Sequence, residues 1–260
     1  MKILLRVTLL FFLSSCSFNT LNNKSSLPEG VSGGILYSSV ILSSEAYVIK
    51  RPGNNLYAIG LPYVTEDKIL NINGRDILVK AKDYGESRIV ISNQSYVMPS
   101  QQDLSRAYDE SRLVQNIISQ RSKQLNFDLN FISPIDSLIT SAYGKKRFIN
   151  GELRSPHLAI DLRGKEGTPI YAPKNGKVVL AANHFYSGNI LILDHGGGLF
   201  SSYSHMQKHN VIEGDDIAKG EVIGFVGSTG RVTGPHLHWT IYLNKNRINP
   251  EQFIDLPLLN

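Results

Sequence analysis

From Gly33 to Met98 the apolar residues come in short runs, many alternating with polar ones, and Gly, Pro, Asn and Asp separate the runs. A period of two marks strands with one buried face. Strands are therefore expected over 35–42, 46–51, 56–61, 68–72, 76–81 and 88–92. Asn73-Gly74, between two of these runs, supplies the residues of a two-residue hairpin turn. The segment reads as a small β-barrel or sandwich, and it holds no histidine and no catalytic constellation.

The period then changes. Ser100 and Asp103 make a capping-box-like start, after which Leu104, Ala107, Tyr108, Val114, Ile117 and Ile118 recur at helical spacing. A helix over about 100–122 is expected to connect or brace two halves. Strand runs return at 170–172, 177–182, 190–194, 199–203, 222–226 and 237–242, with closely spaced glycines and no long helical pattern. The predicted fold class is mainly β, with two β-rich domains (33–99 and 132–260) joined by a helix and linker (100–131).

The N-terminus has a different pattern. Lys2 and Arg6 precede the apolar run Val7 to Leu13, too short to span a bilayer, and Leu13-Ser14-Ser15-Cys16 follows. Residues 1–15 read as a secretory signal peptide. The chain has a single cysteine, and a lone thiol in an exported protein calls for an explanation. Leu-Ser-Ser-Cys resembles a bacterial lipobox, which implies cleavage before Cys16 and its acylation, giving a membrane anchor. Ser17, rather than Asp, implies by analogy with Gram-negative lipoproteins the outer membrane of the cell envelope, facing the periplasm. Residues 16–32, rich in Ser and Asn, are expected to form a flexible tether.

Charge narrows the partners. The chain carries 27 Lys and Arg against 22 Asp and Glu, a net +5 that falls to +3 when Lys2 and Arg6 leave with the signal. So mild a balance suits anionic wall polymers and makes no case for nucleic acid, which wants a dense basic stripe or a stacking motif.

The chemistry lies in the second half. In His236-Leu237-His238 the alternation continues through Trp239 and Ile241, so both imidazoles face one side of a strand with Cα atoms about 7 Å apart. One can ligate a metal while the other stays just outside as a proton-transfer group. His157 and Asp161 form an H-x-x-x-D unit. On a straight strand the two would be about 13 Å apart, so the backbone between them must turn or be helical to share an ion. Tyr203-Ser204-His205 lies between the two motifs. Two His and one Asp suit zinc and leave its fourth position open, as in catalytic sites. A Cys-rich structural site is excluded, and the lack of H-E-x-x-H leaves a histidine as the base. His195 is expected to be structural, and His184 and His209 to lie on the surface.

These motifs, with Gly167 to Pro173, Gly188-Asn189, Asp194-His195-Gly196, Gly214-Asp215 and Gly227 to Pro235-His236, resemble the lysostaphin-type (LytM) zinc metallopeptidases over about 132–255. The resemblance implies a β-sheet peptidase domain with one zinc per chain on His157, Asp161 and His238, and with His205 and His236 as the catalytic pair. It implies water-driven hydrolysis of peptidoglycan stem-peptide cross-links, D,D-endopeptidase cleavage being expected of a Gram-negative envelope. Alternatives are a carboxypeptidase and a non-catalytic LytM factor that activates a cell-wall amidase. One departure is Ala159, where the family has glycine; a positive φ there would be strained. The basic run Lys145 to Arg147 is expected to be a solvated face.

Overall fold

The computed structural model describes residues 27–124 and 126–254; the expected signal peptide, Cys16 and the expected tether up to residue 26 lie outside the described residues. The first half holds β1 (Glu29–Val31), β2 (Ile35–Ser38), β3 (Tyr47–Ile49), β4 (Leu56–Gly60), β5 (Lys68–Ile72), β6 (Arg75–Lys80) and β7 (Glu86–Ile89), followed by helix α1 (Gln101–Ser119). The second half holds β8 (Ile139–Ser141), β9 (Lys146–Ile149), β10 (Glu152–Arg154), β11 (Ile160–Arg163), β12 (Pro169–Tyr171), β13 (Gly176–His184), β14 (Gly188–Asp194), β15 (Leu199–His209), β16 (Asp216–Ile217), β17 (Val222–Val226), β18 (His236–Leu243) and β19 (Asn246–Ile248). The fold is mainly β with one α-helix among the described residues.

Two three-stranded sheets, β1-β6-β5 and β2-β4-β3, share a core of Leu42, Ala46, Ile59, Leu61, Ile77 and Val79, which is a sandwich. The β5–β6 hairpin turns at Asn73 (φ 50°) and Gly74 (φ 80°), the positive pair that an Asn-Gly turn provides at low cost. Asn150 (φ 51°) and Gly151 (φ 87°) repeat this chemistry between β9 and β10.

The expected tether is corrected at its end. Glu29–Val31 pairs in parallel with Leu78–Lys80 of β6, and the Ser32 hydroxyl donates to Val64 O at 3.0 Å. Gly30 lets this strand lie against Leu61, where a Cβ would collide with the leucine side chain. The two halves are also continuous in packing. β7 pairs in parallel with β9, and Tyr47, Ile49 and Ala58 enter the same core as Ile160, Leu191 and Trp239.

The large sheet runs β16-β13-β14-β15-β18-β11-β8, and its residues alternate between two faces. On β14, Leu191 and Leu193 join the main core, whereas Ile190 and Ile192 meet Ile117 and Ile118 of α1. The Ser100 side chain accepts from Asp103 N at 3.1 Å and starts the helix. Burial of the two isoleucines, each contributing about 1.5–3 kcal/mol, outweighs any difference in helix propensity and holds α1 on the sheet. On β18, Leu237, Trp239, Ile241 and Leu243 enter the main core, so His236 and His238 point the other way. The helix covers one end of that second face. The histidines occupy the other.

Candidate metal centre

Register builds the site. Asp161 of β11 lies opposite His238 of β18, and His238 lies opposite Ser204 of β15. His157 precedes β11 in an irregular stretch that turns rather than winds into a helix, which brings its Nε2 to 3.0 Å from Asp161 Oδ1 and 3.2 Å from His238 Nδ1. His238 Nδ1 is itself 2.8 Å from Asp161 Oδ1. The vertices of a zinc tetrahedron with bonds of about 2.0–2.1 Å are about 3.3 Å apart, so these three atoms fit one ion with slight expansion. His157, Asp161 and His238 are the group among the described residues that could hold a metal.

Their orientation is supported from behind. The His157 Nδ1–H donates to Ala142 O at 3.1 Å, with Ser141 Oγ at 3.2 Å, leaving Nε2 for the ion. A backbone carbonyl on the far ring nitrogen is the usual way to set a ligand's tautomer. Ala159 is fully buried and is not among the positive-φ residues, so its replacement of glycine strains nothing.

Two further imidazoles flank the group. His236 Nδ1–H donates to Gly234 O at 2.8 Å, and its Nε2 lies 3.7 Å from Asp161 Oδ1. His205 Nδ1–H donates to Thr229 O at 2.9 Å, and its ring centroid is 5.1 Å from that of His236 and 5.7 Å from that of His238. His205 reaches this position through an irregularity. Met206 pairs with Asn189 but Tyr203 with Leu191, so two residues of β15 face one of β14. At that bulge His205 takes φ 63°, a left-handed conformation rare outside glycine and Asn. Without it, His205 would follow Tyr203 towards the main core. Nothing local in Tyr203-Ser204-His205 signals the bulge.

Electrostatics follows burial. Burial alone would raise the Asp161 carboxyl, but the charges and hydrogen bonds of His157 and His238 outweigh it and hold the group well below the usual carboxylate range. Burial pushes His238 down to about 4 against the opposing pull of Asp161. Burial, then the neighbouring His238 and His236, drives His205 well below the ordinary histidine value. Asp161 is therefore favoured as an ionised carboxylate and His238 as a neutral imidazole, the states a divalent cation requires of such ligands.

Three expectations about residues near the motifs change or gain detail. Arg147 is not on a solvated face: β7 and β10 flank its strand, and its guanidinium lies 3.8 Å from Asp161 Oδ2. His184 is buried rather than exposed, because α1 lies beside the end of β13, where Glu110 accepts from Phe185 N at 2.8 Å. His209 is half-buried, with Nε2 enclosed. His195 is buried in a hydrogen-bond chain, Nδ1–H donating to Asn175 O at 2.8 Å and Nε2 paired with Ser201 Oγ at 2.7 Å. The carbonyls of Ala142, Thr229 and Gly234 were not legible as site groups in the sequence, since each acts through its backbone.

Residues 155–250 match the model of Peptidase family M23, so the chain carries an M23, LytM-type peptidase domain. A Pseudomonas aeruginosa crystal structure described as a peptidase M23 is similar at TM-score 0.68 and 27% identity, covering 86% of this chain and 94% of that one. That coverage exceeds the peptidase domain, so the N-terminal β-rich half has a counterpart there. The chain is 37% identical over 119 residues to the peptidoglycan DD-endopeptidase ShyA of Vibrio cholerae, covering 45% of this chain and 28% of that protein. It is 39% identical over 94 residues to the DD-carboxypeptidase/endopeptidase Mpg of Neisseria meningitidis, covering 36% and 22%. The chain thus spans under a third of the length of these curated relatives.

Proposed function

We propose that this protein is a zinc-dependent peptidoglycan hydrolase that cleaves the bond between D-alanine and meso-diaminopimelate in stem-peptide cross-links. The observation that carries the reading is the convergence of His157 Nε2, Asp161 Oδ1 and His238 Nδ1 within 3.2 Å, flanked by His205 and His236. The M23 match and the peptidoglycan names of the relatives support the substrate class.

His157, Asp161 and His238 would hold a zinc ion, which would supply Lewis acidity and lower the pKa of water at the site to about 7. The rest falls to the chain. Because Gly234 O and Thr229 O can only accept, the ring proton of each flanking histidine sits on Nδ1 and each Nε2 is a free acceptor. One of them takes the proton of the attacking water. Once charged, that imidazolium can donate from Nε2, to the oxyanion first and to the leaving amine afterwards. Asp161 stays ionised throughout, its Oδ2 facing Arg147.

Anchoring is part of the proposal. Acylated Cys16 would hold the protein at the outer membrane, with the peptidase in the periplasm; the lipobox-like sequence supports this, and an amidase or adaptor partner rests on the alternative reading alone. Digestion of isolated sacculi, with fragments identified by mass spectrometry, tests the activity. Conversion of dimers to monomers, stopped by chelator and by His236→Ala in a folded protein, is expected. Loss of terminal D-alanine with dimers untouched would make it a carboxypeptidase; no product, with stimulation of an added amidase, would make it a regulator.

A further inference from the structure

Three arginines sit on the elements around the metal centre, and only Arg147 meets an acid among the described residues. Arg147 of β9 and Arg154 of β10 are direct cross-strand partners, so their side chains leave the same face of the hairpin. Like charges directly opposite one another destabilise a strand pair. Arg147 nevertheless stands 3.8 Å from Asp161 Oδ2, and its Nε is enclosed without a hydrogen-bond partner, as is the Oγ of Ser87, its register partner on β7. Arg231 is on the loop that also carries Thr229 and Gly234, the carbonyl partners of His205 and His236. Its guanidinium stacks 4.2 Å from the Tyr186 ring, and its backbone N–H donates to Tyr186 O at 2.9 Å. Burial lowers its pKa against the opposing pull of Tyr186, and the fields of Arg147 and Arg154 add to the lowering, so Arg231 feels both guanidinia. Among the described residues, neither Arg154 nor Arg231 forms an ion pair.

One of these cations meets a ligand carboxylate, its cross-strand neighbour and the arginine on the loop of the flanking histidines' partners have no acid among the described residues, and guanidinium forks match an external carboxylate in geometry and charge. The proposed substrate offers one carboxylate at the right place. In a cross-link the D-alanine carboxyl is consumed by the bond, whereas the diaminopimelate carbon bonded to the scissile nitrogen still bears a free carboxylate. We propose that Arg154 and Arg231, with Arg147 behind them, form a subsite for the carboxylate adjacent to the scissile nitrogen. A terminal D-alanine leaving group presents the same carboxylate, so the subsite admits both bonds. The interior of a glycine bridge presents none and is excluded.

This inference rests on the hydrolase reading for its ligand, and a binding measurement separates the two. The probe is a D-alanyl-D-alanine analogue with the peptide bond reduced to CH2–NH, prepared as free acid and as carboxamide. It is titrated calorimetrically into the whole protein with zinc and with chelator. Without its charge-assisted hydrogen bond to the arginines, the carboxamide should bind about 10–100-fold more weakly than the acid. Arg154→Gln and Arg231→Gln should each erase much of that preference, and Arg154→Lys should restore part of it. Arg154 is exposed, so the variant should fold, and relief of the repulsion from Arg147 should leave its urea midpoint unchanged or higher. Equal binding of acid and carboxamide by the wild type overturns the subsite. So does a preference that survives both Gln variants, which would assign the carboxylate to the metal. Sacculi digested in parallel report on the hydrolase reading alone: acid-selective binding that needs the arginines, without cleavage, keeps the subsite and removes the endopeptidase.

Discussion

His195 gives the fold a pH dependence that can be worked out in advance. The ring is 2% exposed, and burial pushes its pKa down to about 4 despite the hydrogen bond to Asn175 O. In the chain Tyr203 O–H to Ser201 Oγ, and Ser201 O–H to His195 Nε2, that nitrogen accepts and must stay unprotonated. The folded pKa is thus below the unfolded value of about 6.5, and protonation favours unfolding. The stabilisation is complete above about pH 6.5 and is lost as pH falls towards 4. Between pH 7.5 and 4.5 the single group should withdraw roughly 2–3 kcal/mol, at 1.36 kcal/mol per unit, a sizeable part of a total of roughly 5–15 kcal/mol. Urea unfolding of metal-free wild type and His195→Gln at both pH values measures it. Gln cannot titrate. The variant should be less stable at pH 7.5 yet lose roughly 2–3 kcal/mol less on acidification, while the other histidines cancel from the comparison. Equal acid losses in the two proteins would refute the buried neutral state.

Chelator competition should show His238→Ala losing more than about 100-fold in zinc affinity and His236→Ala about tenfold or less, because removing even a group that hydrogen-bonds a ligand typically costs 10–100-fold and His236 Nε2 stands 3.7 Å from Asp161; equal losses would remove the distinction between them. At His205 the left-handed backbone costs an L-residue roughly 1–2 kcal/mol, so His205→Gly should unfold at higher urea than His205→Ala by about 1 kcal/mol, and an alanine variant at least as stable would show that the site carries no such strain. Cys16→Ala should move the protein from the detergent phase to the aqueous phase, and unchanged partitioning would reject the lipid anchor.

Much was legible in the sequence because it depends on nearest neighbours. The period of two along β14 and β18 separates residues of the main core from those of the second face, and Asn73-Gly74 needs only its own backbone to turn. The same locality puts His236 and His238 on one side of a strand. Asn150-Gly151 carried the same signal, so the β9–β10 hairpin was readable too. Other features were decided by pairing between distant segments. Which face His205 presents is set by one extra residue of β15 against β14, and its strain is held by Thr229 O and Ser187 O. The basic run Lys145 to Arg147 gives no sign that β7 and β10 will flank Arg147 and bring it beside Asp161. His184 is buried because α1, about 75 residues earlier, lies beside it. Alternation and turn chemistry are properties of the chain itself, whereas register, bulges and burial depend on which strand lies alongside, and only the assembled sheet determines that.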